Sequence, residues 1–542
     1  MTARTGGRLV VETLEALGIT QVFGIPGQHA LGLFEALNDS SLNYVSARVE
    51  NNAAFAADGY ARATRRPATL FLSTGPGALT SLAGLQEAYA TSVPMIVVSS
   101  QVPEHGVGGR RNGLLHQLDD QKTAAANVTK VQFTVLRSSS IPSMLQQAYE
   151  AAMAAPRGPV WVEIPEDILL AETNVPPVEE LTPTVSVLPG VRSSLEAAAR
   201  TLSNARSKVI ISGGGVAQSG ASAEVVALAE RTGAIMVTPP GGVSTVPAEH
   251  PLALANWIED YNVTEVLNSA DVVLAVGTAV GEVTSNYFTL RPSGQFIQID
   301  ADQRVLESNY QGLGICADAR LALSALLELV PEADSSAAES LVRDVRSAID
   351  AGLSHQDLKH EREFMAALRR SIPTNTPTYW DMTIAAYWAW NVWTAEPDTF
   401  FTAQGAGGLG YGFPAAIGGA VGAGRRTLAV AGDGSSMYSI GELATAKQHN
   451  VPVTWLIVDD GGYGILREYM NDTFGRATAT ELARPDFVAL AEAFEVPARR
   501  VAASEVGPAV AKSLAKKVDA GPEVIVVETL LKMWEPTHLP HV

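Results

Sequence analysis

The stretch Thr427-Leu428-Ala429-Val430-Ala431-Gly432-Asp433-Gly434-Ser435-Ser436 decides the architecture, read together with Val453 to Val458 and Asp459-Asp460-Gly461-Gly462-Tyr463-Gly464. The apolar run 427–431 reads as a buried strand that breaks at Gly-Asp-Gly; helical spacing follows over about Ile440 to His449, and Val453 to Val458 reads as a second buried strand. Strand, helix, strand in that order gives two parallel neighbours. Asp433 and Asp460, 27 positions apart, then stand at the carboxyl ends of both strands, at the edge of an open α/β sheet where ligands collect. Carboxylate and carbonyl oxygens there suit a divalent hard cation, and the glycine turn offers N–H groups to a diphosphate. Gly-Asp-Gly also occurs at ordinary strand-turn-helix corners, so the reading needs support elsewhere in the chain.

The bulk properties are compatible with such a site. A length of 542 residues suggests about three domains. A net charge of −19, from 38 basic and 57 acidic residues, disfavours nucleic acid and anionic membranes as partners. A single cysteine, Cys316, excludes an intrachain disulfide and a thiolate metal cluster. Met1-Thr2-Ala3-Arg4-Thr5 lacks an apolar signal core and no long apolar run occurs, so a soluble, cytoplasmic protein is expected.

Alternation of strand and helix patterns extends through the chain. Leu9, Val10, Leu14 and Leu17 have helical spacing, and Gln21 to Pro26 reads as a strand closed by a turn. Strand-like runs at Leu42 to Ala47, Thr69 to Thr74, Met95 to Ser100 and Val160 to Ile164 alternate with helical stretches, clearest at Glu50 to Arg65. The proline-rich segment Ala171 to Leu188 reads as a linker. Strands are then expected at Lys208 to Ser212, Ala234 to Thr238, Asp271 to Gly277 and Gln295 to Asp300. Gly213-Gly214-Gly215 lacks the G-x-G-x-x-G spacing of a dinucleotide fingerprint, so it is read as a structural turn. A polar, acidic connector over 331–375 leads to the last unit, where Trp380, Trp388, Trp390 and Trp393 are expected on one helix, packed in a core or subunit interface.

Together with Arg48-Val49-Glu50-Asn51-Asn52 through Arg62, these motifs resemble the thiamine diphosphate-dependent enzymes of the decarboxylase and acetolactate synthase type. The likeness covers nearly the whole chain. It implies three doubly wound α/β domains with mainly parallel sheets: a pyrimidine-binding domain (1–170), a middle domain (190–335) and a diphosphate-binding domain (376–542). It also implies Mg²⁺ held by Asp433, Asp460 and the Gly462 carbonyl, with Gly432, Gly434, Ser435, Tyr463 and Gly464 around the cofactor. The family pattern has Asn-Asn where this chain has Asp459-Asp460, which adds negative charge beside a diphosphate.

The resemblance implies further roles. Glu50 stands at the family's catalytic glutamate, whose acid proton is shared with the pyrimidine N1′ so that the cofactor's own amino group can deprotonate its thiazolium C2. Gln28 and His29 follow Gly24-Ile25-Pro26-Gly27 at positions that face the reacting carbon, and Gly75 lies in the next turn, Ser73-Thr74-Gly75-Pro76-Gly77. In Ala406 to Pro414, Leu409 would wedge the cofactor into its bent shape and the Gly407 carbonyl would accept from its 4′-amino group. His116 and Gln117 align with site-lining residues, although a lone histidine is more often structural.

Leu114 to Gln121 and Trp380 to Ile384 look most like decarboxylases of 5-guanidino-2-oxopentanoate, with Asp119 and Asp120 as candidate partners for a cationic tail. A small 2-oxo acid is thus the implied substrate, decarboxylation the first reading and acetolactate-type carboligation the second. Glutamate and metal ligands come from opposite subunits in this family, which implies a homodimer or homotetramer with active sites at the subunit interface. FAD sometimes occupies the family's middle domain; the missing fingerprint weighs against it here, and against an FAD- or NAD-dependent oxidoreductase. Aspartates at 459 and 460 raise the alternative of a non-catalytic cofactor-binding protein, against which Glu50 argues.

Overall fold

A computed structural model describes residues 4–535; residues 1–3 and 536–542, included in the expected outer domains, lie outside the described residues. The first sheet comprises β1 (Gln21–Gly24), β2 (Asn43–Ser46), β3 (Ala68–Leu72), β4 (Met95–Gln101), β5 (Gln132–Thr134) and β6 (Pro159–Pro165), in the order β2-β1-β3-β4-β6-β5. The second comprises β7 (Lys208–Ser212), β8 (Ile235–Val237), β9 (Ala253–Ala255), β10 (Val272–Val276), β11 (Gln295–Asp300) and β12 (Leu313–Cys316), in the order β12-β11-β10-β7-β8-β9. The third comprises β13 (Thr378–Trp380), β14 (Phe400–Thr402), β15 (Thr427–Gly432), β16 (Val453–Asp459), β17 (Ala498–Val501) and β18 (Glu523–Glu528), in the order β14-β13-β15-β16-β18-β17. The pairs that decide each sheet, β1–β3, β7–β10 and β15–β16, are parallel, as expected of strands joined by helical crossovers. Central strands such as β4 and β16 are buried on both faces, which is why they read as unbroken apolar runs.

Two helices join the outer units. Helix Glu50–Thr64 lies against helix Gly412–Ala423, and the approach depends on glycine: a Cβ on Gly59 would fall 1.9 Å from Ala415 O, and one on Gly418 1.7 Å from Ala56 O. Their small-residue faces continue into a core shared by the first and third sheets, with Phe55 edge-on to Tyr411 at 5.4 Å.

Several expectations are corrected. The helix after β15 begins at Asp433, not Ile440, because Ser435 and Ser436 hydroxyls bond the Gly432 backbone and start the turn at once; a break at Ile440–Gly441 separates Asp433–Ser439 from Glu442–Gln448. The 331–375 connector is largely helical, as Ser336–Ser354 and Lys359–Ser371, because Val342, Val345, Ile349 and Leu353 form one buried stripe under a charged face. Trp380 ends β13 rather than sharing the helix Ile384–Val392, and meets Trp393 edge-on at 4.9 Å in the core. The second sheet has the 3-2-1-4-5-6 order of dinucleotide folds, despite its missing fingerprint, and a cavity of about 1180 Å³ opens beside Gly214, Gly215 and Gly277. Among the described residues, no helix is long and apolar enough to cross a membrane.

Candidate active site

β15 and β16 are neighbours with Gly432 opposite Val458, so Asp433 and Asp460 emerge together at the carboxyl edge. Asp433 is buried, and its carboxylate oxygens have no partner at good hydrogen-bond geometry, although the Gly434 and Asp460 N–H groups and the Asp460 carboxyl are close enough to act on them; Asp460 Oδ1 is buried without a well-formed bond as well. Burial pushes both carboxyls up, and the neighbouring carboxylate adds to it: Asp459 is the next cause at Asp433, and Asp433 at Asp460, which reaches about 7. Unsatisfied buried carboxylates are costly, and a cation between them removes the cost.

The Gly462 carbonyl closes the third side. Gly461 and Gly462 have φ of +92° and +151°, and a Cβ on Gly462 would strike Thr480 O at 2.0 Å, so the loop turns back as only glycine allows. The turn brings Gly462 O within 3.2 Å of where a Gly434 Cβ would stand, beside the Tyr463 ring. Tyr463 bonds Tyr438, Arg467 donates to Asp460 O at 3.1 Å, and Gly464 leaves room for Asp460 Oδ2. Asp459 is accounted for differently: it accepts from Arg484 at 2.7 Å. Among the described residues, no group of three or more His, Cys, Asp or Glu side chains could hold a metal; a cation here would have two carboxylates and one carbonyl as its donors, a set that leaves positions for phosphate oxygens.

A second group of unsatisfied buried atoms lies at the edge of the first sheet: Ser73 Oγ, His29 Nδ1 and His116 Nδ1. Glu50 opens its helix, and its Oε1 is 3.1 Å from the Cβ position of Gly77. Burial raises its pKa. Gly75 has φ +65°, and a Cβ there would strike His116 O at 2.3 Å, so the loop of His116 lies directly over this turn. His29 and His116 meet edge-on at 5.2 Å; burial lowers the His29 pKa against the pull of Glu166, 3.5 Å away. Gln28 is exposed at the same corner. Gln117 braces its own loop, donating to Gly106 O and Arg111 O and accepting from Leu114 N. Asp120 caps the helix Gln121–Ala125 through Thr123, so of the two acids expected to hold a cationic tail this one is already engaged.

Two carboxylates that sequence reasoning missed hold the segment carrying Gly407 and Leu409. Glu87 accepts from Gly405 N at 3.1 Å and Ala406 N at 2.7 Å, while Asp381 accepts from Gly410, Tyr411 and Gly412 N–H groups at 2.9–3.2 Å. Both are buried, and burial drives each pKa to about 7. Arg62 links Glu87 to Asp58 on the helix of Glu50. Gly407, with φ +68°, faces open space, and Leu409 is half-buried. A lone acid after a tryptophan, or one in a helix of small residues, carries no sequence signal of this role.

Among the described residues, no hydrogen bond or ion pair joins Glu50 to the Asp433–Gly464 loops of the same chain; Asn52, two residues on, reaches only Tyr438 O and Glu442. The two groups of candidate residues thus lie at separate sheet edges of the chain.

Comparison with known proteins covers both groups. Residues 4–124, 195–326 and 381–527 match the N-terminal, central and C-terminal domains of thiamine pyrophosphate enzymes. The chain is 32% identical over 506 residues to a probable 2-ketoarginine decarboxylase of Pseudomonas aeruginosa, covering 92% of this chain and 89% of that one. It is 30% identical over 529 residues to a probable acetolactate synthase large subunit of Methanocaldococcus jannaschii, covering 92% and 87%. The benzoylformate decarboxylase structure from Polynucleobacter necessarius shares the fold with a TM-score of 0.84 at 23% identity, over 98% of this chain and all of that one.

Proposed function

Because the chain belongs to the thiamine pyrophosphate enzymes, we propose that it decarboxylates a small 2-oxo acid with thiamine diphosphate and Mg²⁺, and that 5-guanidino-2-oxopentanoate is its substrate. The observation that carries the reading is the gathering of buried polar atoms without well-formed hydrogen bonds at two sheet edges, carboxylates at one and, beside Glu50, a serine hydroxyl with two imidazoles at the other. When bound, thiamine diphosphate supplies the carbon nucleophile for the keto group and accepts the electrons released with CO₂.

The chain's residues divide the remaining work. Asp433, Asp460 and the Gly462 carbonyl hold the cation, and the backbone of Gly432, Gly434 and Ser435 lines the diphosphate. Glu87 and Asp381 fix the 405–412 segment, so that Gly407 and Leu409 orient the aminopyrimidine. Glu50, protonated more readily than an exposed glutamate, holds a proton at the pyrimidine nitrogen. His29, kept neutral by burial, and His116 stand at the reacting carbon, where they can move the proton that replaces CO₂.

Glu50 of one protomer serves the metal loop of another, so the working enzyme is a homodimer or a tetramer of two dimers. Exposed apolar side chains support this: Val49, Leu79 and Leu115 flank the Glu50 corner, and Met437, Tyr438 and Leu466 flank the metal loop. Carboligation is the second reading, favoured by the acetolactate synthases among the relatives. Mass-spectrometric product analysis over a panel of 2-oxo acids, with and without an acceptor aldehyde, tests both. Decarboxylation predicts CO₂ and 4-guanidinobutanal from the guanidino acid; acetolactate from pyruvate as the main product would transfer the chain to the second reading.

A further inference from the structure

A group of side chains that the cofactor does not use sits one helical turn from the metal loops. Thr383 begins the helix Ile384–Val392 with its Cγ2 3.2 Å from the Cβ position of Gly432, and Tyr387 N bonds Thr383 O one turn later. The helix Gly464–Phe474 starts just after Gly462 and carries Tyr469 about 7.5 Å along its axis, at 1.5 Å per residue. The two tyrosine side chains hydrogen-bond each other. From the middle domain, Tyr287 donates its hydroxyl to the Glu259 carboxylate, and that carboxylate is close enough to act electrostatically on Tyr387 and Tyr469.

The backbone presenting Tyr287 is strained. Asn286, Tyr287 and Phe288 have φ of +48°, +56° and +56°, three consecutive non-glycine residues in the left-handed region. The turn is anchored below by buried Asn286, which donates to Thr264 Oγ1 at 2.9 Å, while Tyr287 and Phe288 remain 45% and 46% exposed above it. Tyr469 is 43% exposed. Strain that displays aromatic rings beside an acid is the kind of local cost retained at a binding site. Burial holds the Glu259 pKa at about 7, so a ligand cation would favour its ionised form.

We propose that Glu259, Tyr287, Tyr387 and Tyr469 form the specificity subsite for the 2-oxo acid, taking a cationic guanidinium tail while the keto end lies at the metal-loop edge. The carboxylate accepts the forked N–H pair of the guanidinium, and the tyrosine rings offer their faces to its charge. The group lies about a helical turn from the metal loops, a span comparable with the length of an extended arginine-type tail. The assignment rests on the decarboxylase reading, but its test is separable.

The test compares kcat/KM of the holoenzyme for 5-guanidino-2-oxopentanoate with that for its neutral isostere 5-ureido-2-oxopentanoate, in the wild type, Glu259→Gln and Tyr469→Phe. The wild type is expected to prefer the guanidino acid by about tenfold to a hundredfold. Glu259→Gln is expected to bring that ratio down at least about tenfold, and Tyr469→Phe to lower it less. Equal use of both acids by the wild type overturns the subsite whatever the variants do. So does an undiminished ratio in Glu259→Gln. If the wild type instead releases CO₂ from neither acid and condenses pyruvate, the decarboxylase reading fails first, and the subsite with it.

Discussion

The first and third units share one strand order: in each, the second strand lies outermost beside the first, followed by the third, fourth, sixth and fifth. The helices that come after the second strand in each, Glu50–Thr64 and Gly412–Ala423, are therefore equivalent, and they pack against one another. The turns after the two third strands differ. Beyond β3 the chain runs into Ser73–Gly77 beneath two histidines and the Glu50 carboxyl; beyond β15 it runs into Gly432–Ser436 and the buried Asp433–Asp460 carboxylate pair. On the proposed reading, one corner would hold and move protons and the other would hold a cation. Topology places the corner, and a few side chains decide its chemistry.

The strongest way to break this division is Asp433→Ala. It is expected to abolish thiamine diphosphate binding in Mg²⁺ by calorimetric titration, and undiminished affinity would overturn the metal site. Because burial and the neighbouring carboxylate both disfavour a charged Asp433, the same substitution is expected to stabilise the cofactor-free protein, read from the urea midpoint. Glu50→Gln tests the other corner: it is expected to lower turnover by about 10²–10⁴-fold while changing cofactor affinity far less, since an amide still hydrogen-bonds but has no acid proton to share. Near-wild-type kcat would remove Glu50 from the proton chemistry.

A third experiment sharpens how the cofactor-bending segment is held. Burial raises the folded-state pKa of Asp381 to about 7 from an ordinary 3.8. A carboxyl whose pKa is raised by folding contributes stability that is present below 3.8 and lost as pH rises toward about 7, because the folded state then resists giving up the proton. The slope contributed is at most about 1.4 kcal/mol per pH unit. Asp381→Asn is expected to flatten it in urea melts across that window and, having one carbonyl oxygen for three N–H groups, to weaken cofactor binding. An unchanged slope would mean that Asp381 stays ionised through the window, held by those three N–H groups.

Much of this was legible in the residues. The long central strands announced themselves as Val/Ile runs because both faces are covered, and Asp433, Asp460 and Glu50 were marked by glycine spacing and helix position. The short strands β5, β9, β12 and β14 lacked signal because three or four residues cannot establish a period. The stripe Val342, Val345, Ile349, Leu353 had helical spacing, masked by acidic residues on its other face. Glu87, Asp381 and Glu259 were invisible for a different reason. A carboxylate's role depends on which backbone amides or hydroxyls the fold brings to it, and here those come from segments 28 to 318 positions away. The roles of Gln117 and Asp120 were likewise decided by local backbone partners, inside their own loop.

The smallest expected effect comes from Asp460→Asn, which restores the family's residue. Asp459, although paired with Arg484, still acts on Asp433, and Asp460 stands beside Asp433 as a second carboxylate whose pKa that neighbour raises. The substitution removes that repulsion but replaces a carboxylate oxygen with a weaker amide oxygen, and the two changes oppose each other in metal affinity. The side chains are nearly the same size, so the amide fits the space left by Gly464, where a Cβ would lie 1.9 Å from Asp460 Oδ2. Cofactor affinity in Mg²⁺ is therefore expected to change by less than about tenfold, one decade being about 1.4 kcal/mol. The contrast with Asp433→Ala makes the result informative. Loss as complete as in Asp433→Ala would show that the cation here depends on both negative charges, and that the carboxylate pair has remade the site rather than decorated it.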